Sequence, residues 1–192
     1  MQRDLRDHGL LLHHLKQASK TGEFTLASGK KSDWYLDCRE VTTEAVGLRL
    51  VAGEILELRR KWNFNVLGGP ASAAIASMAG ALALAGNDSS GNSAIKSFVF
   101  TRDKAKDHGT QQQVDGAPLN VEETRLLLVD DVLTSGGSLL RCRDALLTKY
   151  PALTIVGAWV LVDRAEGGRD RLLQEGLRVW SAFTRLDILA GD

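Results

Sequence analysis

A chain of 192 residues, 44% apolar and 25% charged, has the composition of one globular domain with a full core and is too short for two ordinary ones. Its formal net charge of zero excludes a general basic field for nucleic acid or an anionic membrane, so any cationic site must be local. No stretch approaches the roughly 20 apolar residues that span a bilayer, and no secretory h-region opens the chain. Cys38 and Cys142 form neither a CxxC nor a metal-spaced set, so the expected home is a reducing cytoplasm.

In chain order, Asp7–Ser19 predicts a short amphipathic helix with Leu11, Leu12 and Leu15 inward. His8, His13 and His14 lie on or beside it without a third ligand at metal spacing, and read as surface or structural histidines. Phe24–Asp37 predicts two short strands around a Gly turn. Trp34 and Tyr35 are adjacent there, so they face opposite ways and only one can be core. Val41–Lys61 has the apolar spacing of a long helix, Asn65–Leu67 that of a first core strand ending in Gly68-Gly69-Pro70. Ala71–Ala85 is a small-residue helix, and Gly86–Ser93 a surface loop. The turn between strand and helix reads equally as a tight junction or as backbone touching a ligand.

Ile95–Thr101 predicts a second core strand. Arg102–Thr110 then gathers Arg102, Lys104, Lys106 and His108 on a loop, a concentrated cation cluster in an otherwise neutral chain. A polar stretch with nothing to bury reads either as a solvated loop or as a mobile lid over an anion.

The stretch Arg125–Ser138, RLLLVDDVLTSGGS, is the most informative. Leu126–Val129 predicts a strand buried on both faces, with Asp130 and Asp131 at its end. Thr134-Ser135-Gly136-Gly137-Ser138 then makes a hydroxyl- and glycine-rich turn, and Leu139–Thr148 a helix. Successive backbone N–H groups in such a turn, opening onto a helix N-terminus, form a cradle for a phosphate. Two ionised carboxylates beside it suit the O–H groups of a vicinal diol. Together they describe a ribose 5-phosphate site. Thr154–Val162 is a further strand, ending in Asp163-Arg164. An arginine there can fork onto a planar carboxylate. Gly167–Glu175 predicts a helix, Leu177–Phe183 a last strand and Arg185–Ala190 a final helical turn.

DDVLTSGGS resembles the PRPP-binding signature of type I phosphoribosyltransferases. The hood-like FTLASGKKS and the loop RDKAKDHG are similar to the corresponding stretches of orotate phosphoribosyltransferases. The resemblance implies an α/β type I phosphoribosyltransferase fold: about five mainly parallel strands flanked by helices, with a small N-terminal hood. The whole of 1–192 would be one such domain, its core over about 41–183 and its hood over about 1–40 plus the C-terminal segment.

The resemblance also implies roles. Asp130 and Asp131 would hold the ribose hydroxyls of PRPP and Thr134–Ser138 its 5-phosphate, with Val132 and Leu133 between them also counted among the PRPP-binding residues. Arg102, Lys104, Lys106 and His108 would close on the pyrophosphate. Tyr35, Leu36, Thr134 and Arg164 would hold orotate, with Arg102, Lys106, His108 and Asp131 as the catalytic set. Mg²⁺, held mainly by PRPP and water rather than by protein ligands, would be the cofactor. A homodimer sharing that loop between subunits would be the assembly, and neither nucleic acid nor membrane a partner. The chain departs from the family at Asp103, usually lysine, with Lys104 one residue later, and at Ala27 and Ala73, lysines in some relatives. Alternatives are a phosphoribosyltransferase for another base and a non-catalytic PRPP sensor.

Overall fold

The computed structural model describes residues 5–25, 31–71, 74–86, 95–102 and 113–190. Its elements run α1 (Leu5–Gln17), β1 (Ser19–Thr25), β2 (Lys31–Leu36), α2 (Arg39–Thr42), α3 (Ala45–Arg59), β3 (Val66–Pro70) and α4 (Ala74–Ala85). They continue with β4 (Ser97–Thr101), β5 (Val114–Gly116), β6 (Arg125–Leu133) and α5 (Gly137–Lys149). The last are β7 (Thr154–Asp163), α6 (Gly168–Gln174), β8 (Val179–Thr184) and α7 (Arg185–Leu189).

Six strands form one sheet in the order β5-β4-β3-β6-β7-β8. All pairs are parallel except β4 with β5. The five parallel strands are the expected ones; β5 lies in a stretch that reads only as polar loop. Along β6 the faces alternate. Leu127 and Val129 join the core under α1, α3 and α4, whereas Leu126 and Leu128 join that under α5 and α6. A strand apolar on both faces is what a helix-covered parallel sheet requires.

One expected element divides. The helical pattern of 41–61 breaks into α2 and α3 because Glu44 takes an extended backbone and its carboxylate accepts from Gly47 N at 2.7 Å, capping α3. β1 and β2 pair antiparallel as a separate ribbon. Within β2, Trp34 and Leu36 are buried while Tyr35 faces the other way, its ring 5.5 Å from that of Phe24. Trp34 is therefore the core member of the aromatic pair. His8 is a structural histidine, its ring stacked on Phe183 at 4.3 Å and its Nδ1 2.9 Å from Glu54. Among the described residues no helix is long and apolar enough to cross a membrane.

From β3 the chain steps to β4 on one side and then returns to β6 on the other. Strand order thus reverses between β3 and β6, and the crevice at their carboxyl ends is where such sheets bind ligands.

Candidate active site

β6 delivers the two aspartates to that crevice. It runs past Val129 through Leu133, further than the apolar run alone suggests, because Val132 and Leu133 pair with Val162 and Asp163 of β7. The carboxylates therefore sit on a fixed strand rather than on a loop. Asp130 is 4% exposed, and its two oxygens accept from Asp131 N at 3.0 Å and Ser138 Oγ at 2.7 Å. Burial, then the Asp131 charge beside it, pushes the Asp130 carboxyl well above the usual carboxylate range, against the Ser138 hydroxyl. Asp131 is half-buried. Among the described residues no cation pairs with either aspartate. The strand end thus presents a carboxyl pair, one buried and one half-buried, to the crevice.

Thr134-Ser135-Gly136 connects β6 to α5. Gly136 takes a left-handed φ of 74° at the helix N-cap, a conformation glycine adopts without cost. Two arginines that the sequence reading missed stand at this turn. The Arg171 guanidinium donates to the Ser135 carbonyl at 3.3 Å, and a Cβ built on Gly137 would lie 3.3 Å from Arg141 Nη1. Their spacing carries a faint signal, since Arg141 is one helical turn from Gly137. α6 buttresses the turn from behind: Gly168 packs so close to the Thr134 carbonyl that any Cβ there would overlap it. Gly168→Ala should displace the turn, lowering stability by about 2 kcal/mol through overpacking. A thermal melt read together with KM for PRPP checks this, and both should worsen.

A cavity of about 240 Å³ opens beside Ser138, lined also by Pro70, Thr101, Arg102, Gln113 and Arg141. It brings the end of the Gly-Gly-Pro turn, the base of the cationic loop and the first turn of α5 together. Arg102 N donates to Gln113 O at 2.9 Å, and its guanidinium pairs with Asp115 at 2.6 Å. Arg102 and Gln113, which flank 103–112, thus continue the pairing of β4 with β5. Lys104, Lys106 and His108, with Asp103, Ala27 and Ala73, lie outside the described residues.

Arg164 closes the far side. It is 6% exposed, and its Nη2 donates to Ser32 Oγ at 3.0 Å and more weakly to the Trp34 carbonyl at 3.5 Å. Nε donates to Glu166 at 2.7 Å, and the guanidinium lies 5.0 Å from the centroid of the Trp34 ring. The hood is thereby stitched to the end of β7. Tyr35 is half-buried on the ribbon's other face, and Leu36 shares the core with Trp34. Asp163, also buried, accepts from Arg169 at 2.9 Å and from Ala165 N at 2.9 Å. That second bond fixes Ala165 at φ 57°, the sole non-glycine with positive φ among the described residues.

Comparison with known proteins agrees with this geometry. The phosphoribosyl transferase domain family matches residues 46–173. The orotate phosphoribosyltransferase of Pyrococcus furiosus is 35% identical over 167 residues, covering 86% of this chain and 85% of its own. The crystal structure of Mycobacterium tuberculosis orotate phosphoribosyltransferase in complex with Fe(III) dicitrate superposes with a TM-score of 0.78 at 28% identity, covering 96% of this chain and 99% of that one. A second structure of the tuberculosis protein, in complex with PRPP, shares the fold at a TM-score of 0.73 and 24% identity, covering 95% and 98%. With two thirds of its length matched by the domain family and a curated relative 35% identical over 86% of the chain, the chain belongs to the phosphoribosyltransferases, in the orotate phosphoribosyltransferase branch.

Proposed function

We propose that the protein transfers the 5-phosphoribosyl group of PRPP to orotate, giving orotidine 5′-monophosphate and pyrophosphate in pyrimidine synthesis. The observation that carries this is convergence at one crevice: the Asp130–Asp131 dyad, the Thr134–Ser138 turn and, at the end of the next strand, a buried arginine under the hood. The first two suit a ribose 5-phosphate, the third a planar carboxylate such as that of orotate.

The turn holds the 5-phosphate through its N–H groups and hydroxyls, with Arg141 and Arg171 adding positive charge nearby. Asp131, and Asp130 behind it, accept from the ribose hydroxyls and face the cationic character that grows on the ring as the C1–O bond to pyrophosphate breaks. Arg164 fixes the orotate carboxylate so that the ring nitrogen points at C1. Arg102, Lys104, Lys106 and His108 bring donors to the departing pyrophosphate and exclude water. No covalent nucleophile is needed.

Mg²⁺ suits the site as the cofactor, because the half-buried Asp131, and Asp130 once its proton is displaced, offer the hard oxygen donors that ion prefers. When bound, it would neutralise developing charge on the leaving group while PRPP and water supply most of its ligands. With Cys38 and Cys142 both buried and unpaired as thiols, a reducing cytoplasm is the compartment we propose. The assembly we propose is a homodimer in which the 102–110 loop serves the neighbouring subunit's site.

The test is loss of orotate absorbance with PRPP and Mg²⁺, with uracil, hypoxanthine and adenine as controls. Orotate alone should be consumed; turnover of another base, or PRPP binding without any turnover, would sink the assignment. Loop sharing has its own readout. Lys106→Ala and Arg164→Ala should each be nearly inactive, and a mixture allowed to exchange subunits should regain about a quarter of wild-type activity, since one of the two sites in each mixed dimer is then intact. A mixture as dead as its parents would mean that each loop serves its own subunit.

A further inference from the structure

Arg164 already holds a carboxylate. Glu166 reaches back two residues to accept from its Nε at 2.7 Å, in the place where an incoming carboxylate would be gripped. The backbone is shaped for that return: Ala165 takes a left-handed φ of 57°, held there by its N–H bond to buried Asp163. Strain retained beside a binding group marks a position that the surrounding structure over-determines. We infer that Glu166 is an internal stand-in for the substrate carboxylate, which must displace it to bind. This rests on Arg164 being the orotate clamp.

The reason is charge balance in a dry site. A guanidinium with 6% exposure needs a counter-charge, because an unpaired charge in low dielectric is strongly disfavoured. In the free protein Glu166 provides it. Arg185, the second guanidinium over the Trp34 ring, is already paired with Asp33 at 2.7 Å and offers no spare positive charge. Two carboxylates on Arg164 together would therefore leave a net negative charge under the hood. Glu166 can leave readily, since it is about one third exposed and its carboxylate can turn into water. A ligand without a carboxylate gains nothing from evicting it. The exchange thus makes Glu166 a specificity-determining residue that acts through Arg164.

Steady-state kinetics of the full chain with PRPP and orotate test this with Glu166→Gln and Glu166→Asp. Gln removes the charge, while Asp keeps it on a side chain one methylene too short to reach Nε. KM for orotate should fall in both variants by roughly tenfold, the gain when a blocked state populated about nine-tenths of the time is removed. KM for PRPP should not move, which shows that the rest of the site is intact. An unchanged KM for orotate overturns the inference, and a raised one makes Glu166 a residue that steadies Arg164 instead. A fall in Glu166→Gln alone also overturns it, because repulsion without contact would then suffice. A wild-type protein that consumes no orotate defeats the functional reading itself, and is told apart by that.

Discussion

Replacing Asp130 with Asn should make the free protein more stable and the enzyme much worse. The carboxyl is almost fully buried, and its charged form is disfavoured by burial and by Asp131. Asn is nearly isosteric: its Oδ1 can accept from Asp131 N, while its Nδ2 takes the place of the other oxygen and donates to the Ser138 hydroxyl oxygen. The change removes a buried group whose ionisation the fold suppresses and leaves both polar neighbours with a partner, a gain of about 1–3 kcal/mol at neutral pH. For a chain of this length that raises Tm by about 2–12 °C. Activity moves the other way. A charge-assisted hydrogen bond is worth about 1.5–3 kcal/mol, so weakening the dyad's hold on the ribose should lower kcat/KM for PRPP by about a hundredfold. A variant that melts lower than wild type at pH 8 would show that the buried charge is not a burden on the fold.

The same carboxyl fixes the sign of a pH effect. Its pKa in the folded chain lies above its ordinary value of 3.8, so between the two the folded state binds more protons than the unfolded one. Stability then falls as pH rises through that window, the reverse of the usual aspartate. Wild type and Asp130→Asn should melt alike at about pH 4, below which both states hold the proton, and diverge increasingly toward neutral pH. PRPP or Mg²⁺ should narrow the gap by supplying partners to the charged form.

The β6–α5 half of this candidate site is legible in the sequence because its chemistry is local. Leu126–Val129, the paired aspartates and the Thr-Ser-Gly-Gly-Ser turn are consecutive, and each residue type states its own requirement. The parallel core is legible for the same reason, since strands buried on both faces leave uninterrupted apolar runs. What escapes is set by distance along the chain. Arg171 meets Ser135 from 36 residues away, and Arg164 finds Ser32 across 132. Neither pairing leaves a periodic trace. Val114–Gly116 is a strand only because β4 offers it an edge, so its polar sequence does not announce it. Glu166 is a plain charged residue until the positive φ of Ala165 turns it back on Arg164. The break at Glu44 is the instructive miss. Two threonines and a glutamate before an apolar run are a helix-start signal, and the periodicity on either side conceals it.

Replacing Arg164 with Ala should nearly abolish use of orotate and loosen the hood. The guanidinium is the hub of three attachments, to Ser32 and Trp34 of β2 and to Glu166 beyond β7, and it covers the Trp34 ring. Removing one partner of a buried charge pair usually costs about 3–5 kcal/mol. Here the loss should fall at or below the low end, because the orphaned Glu166 is about one third exposed and can solvate itself. Substrate has no such escape. Its carboxylate would enter a dry pocket without a counter-charge, so KM for orotate should rise by at least a hundredfold while KM for PRPP changes little, since the dyad and the phosphate turn belong to β6 and α5. Arg164→Lys separates charge from geometry. A point charge lacks the planar fork, so it should recover stability more fully than it recovers orotate affinity. If Lys restored orotate use completely, the bidentate grip assigned to Arg164 would be wrong, and the base would have to be oriented by the hood alone.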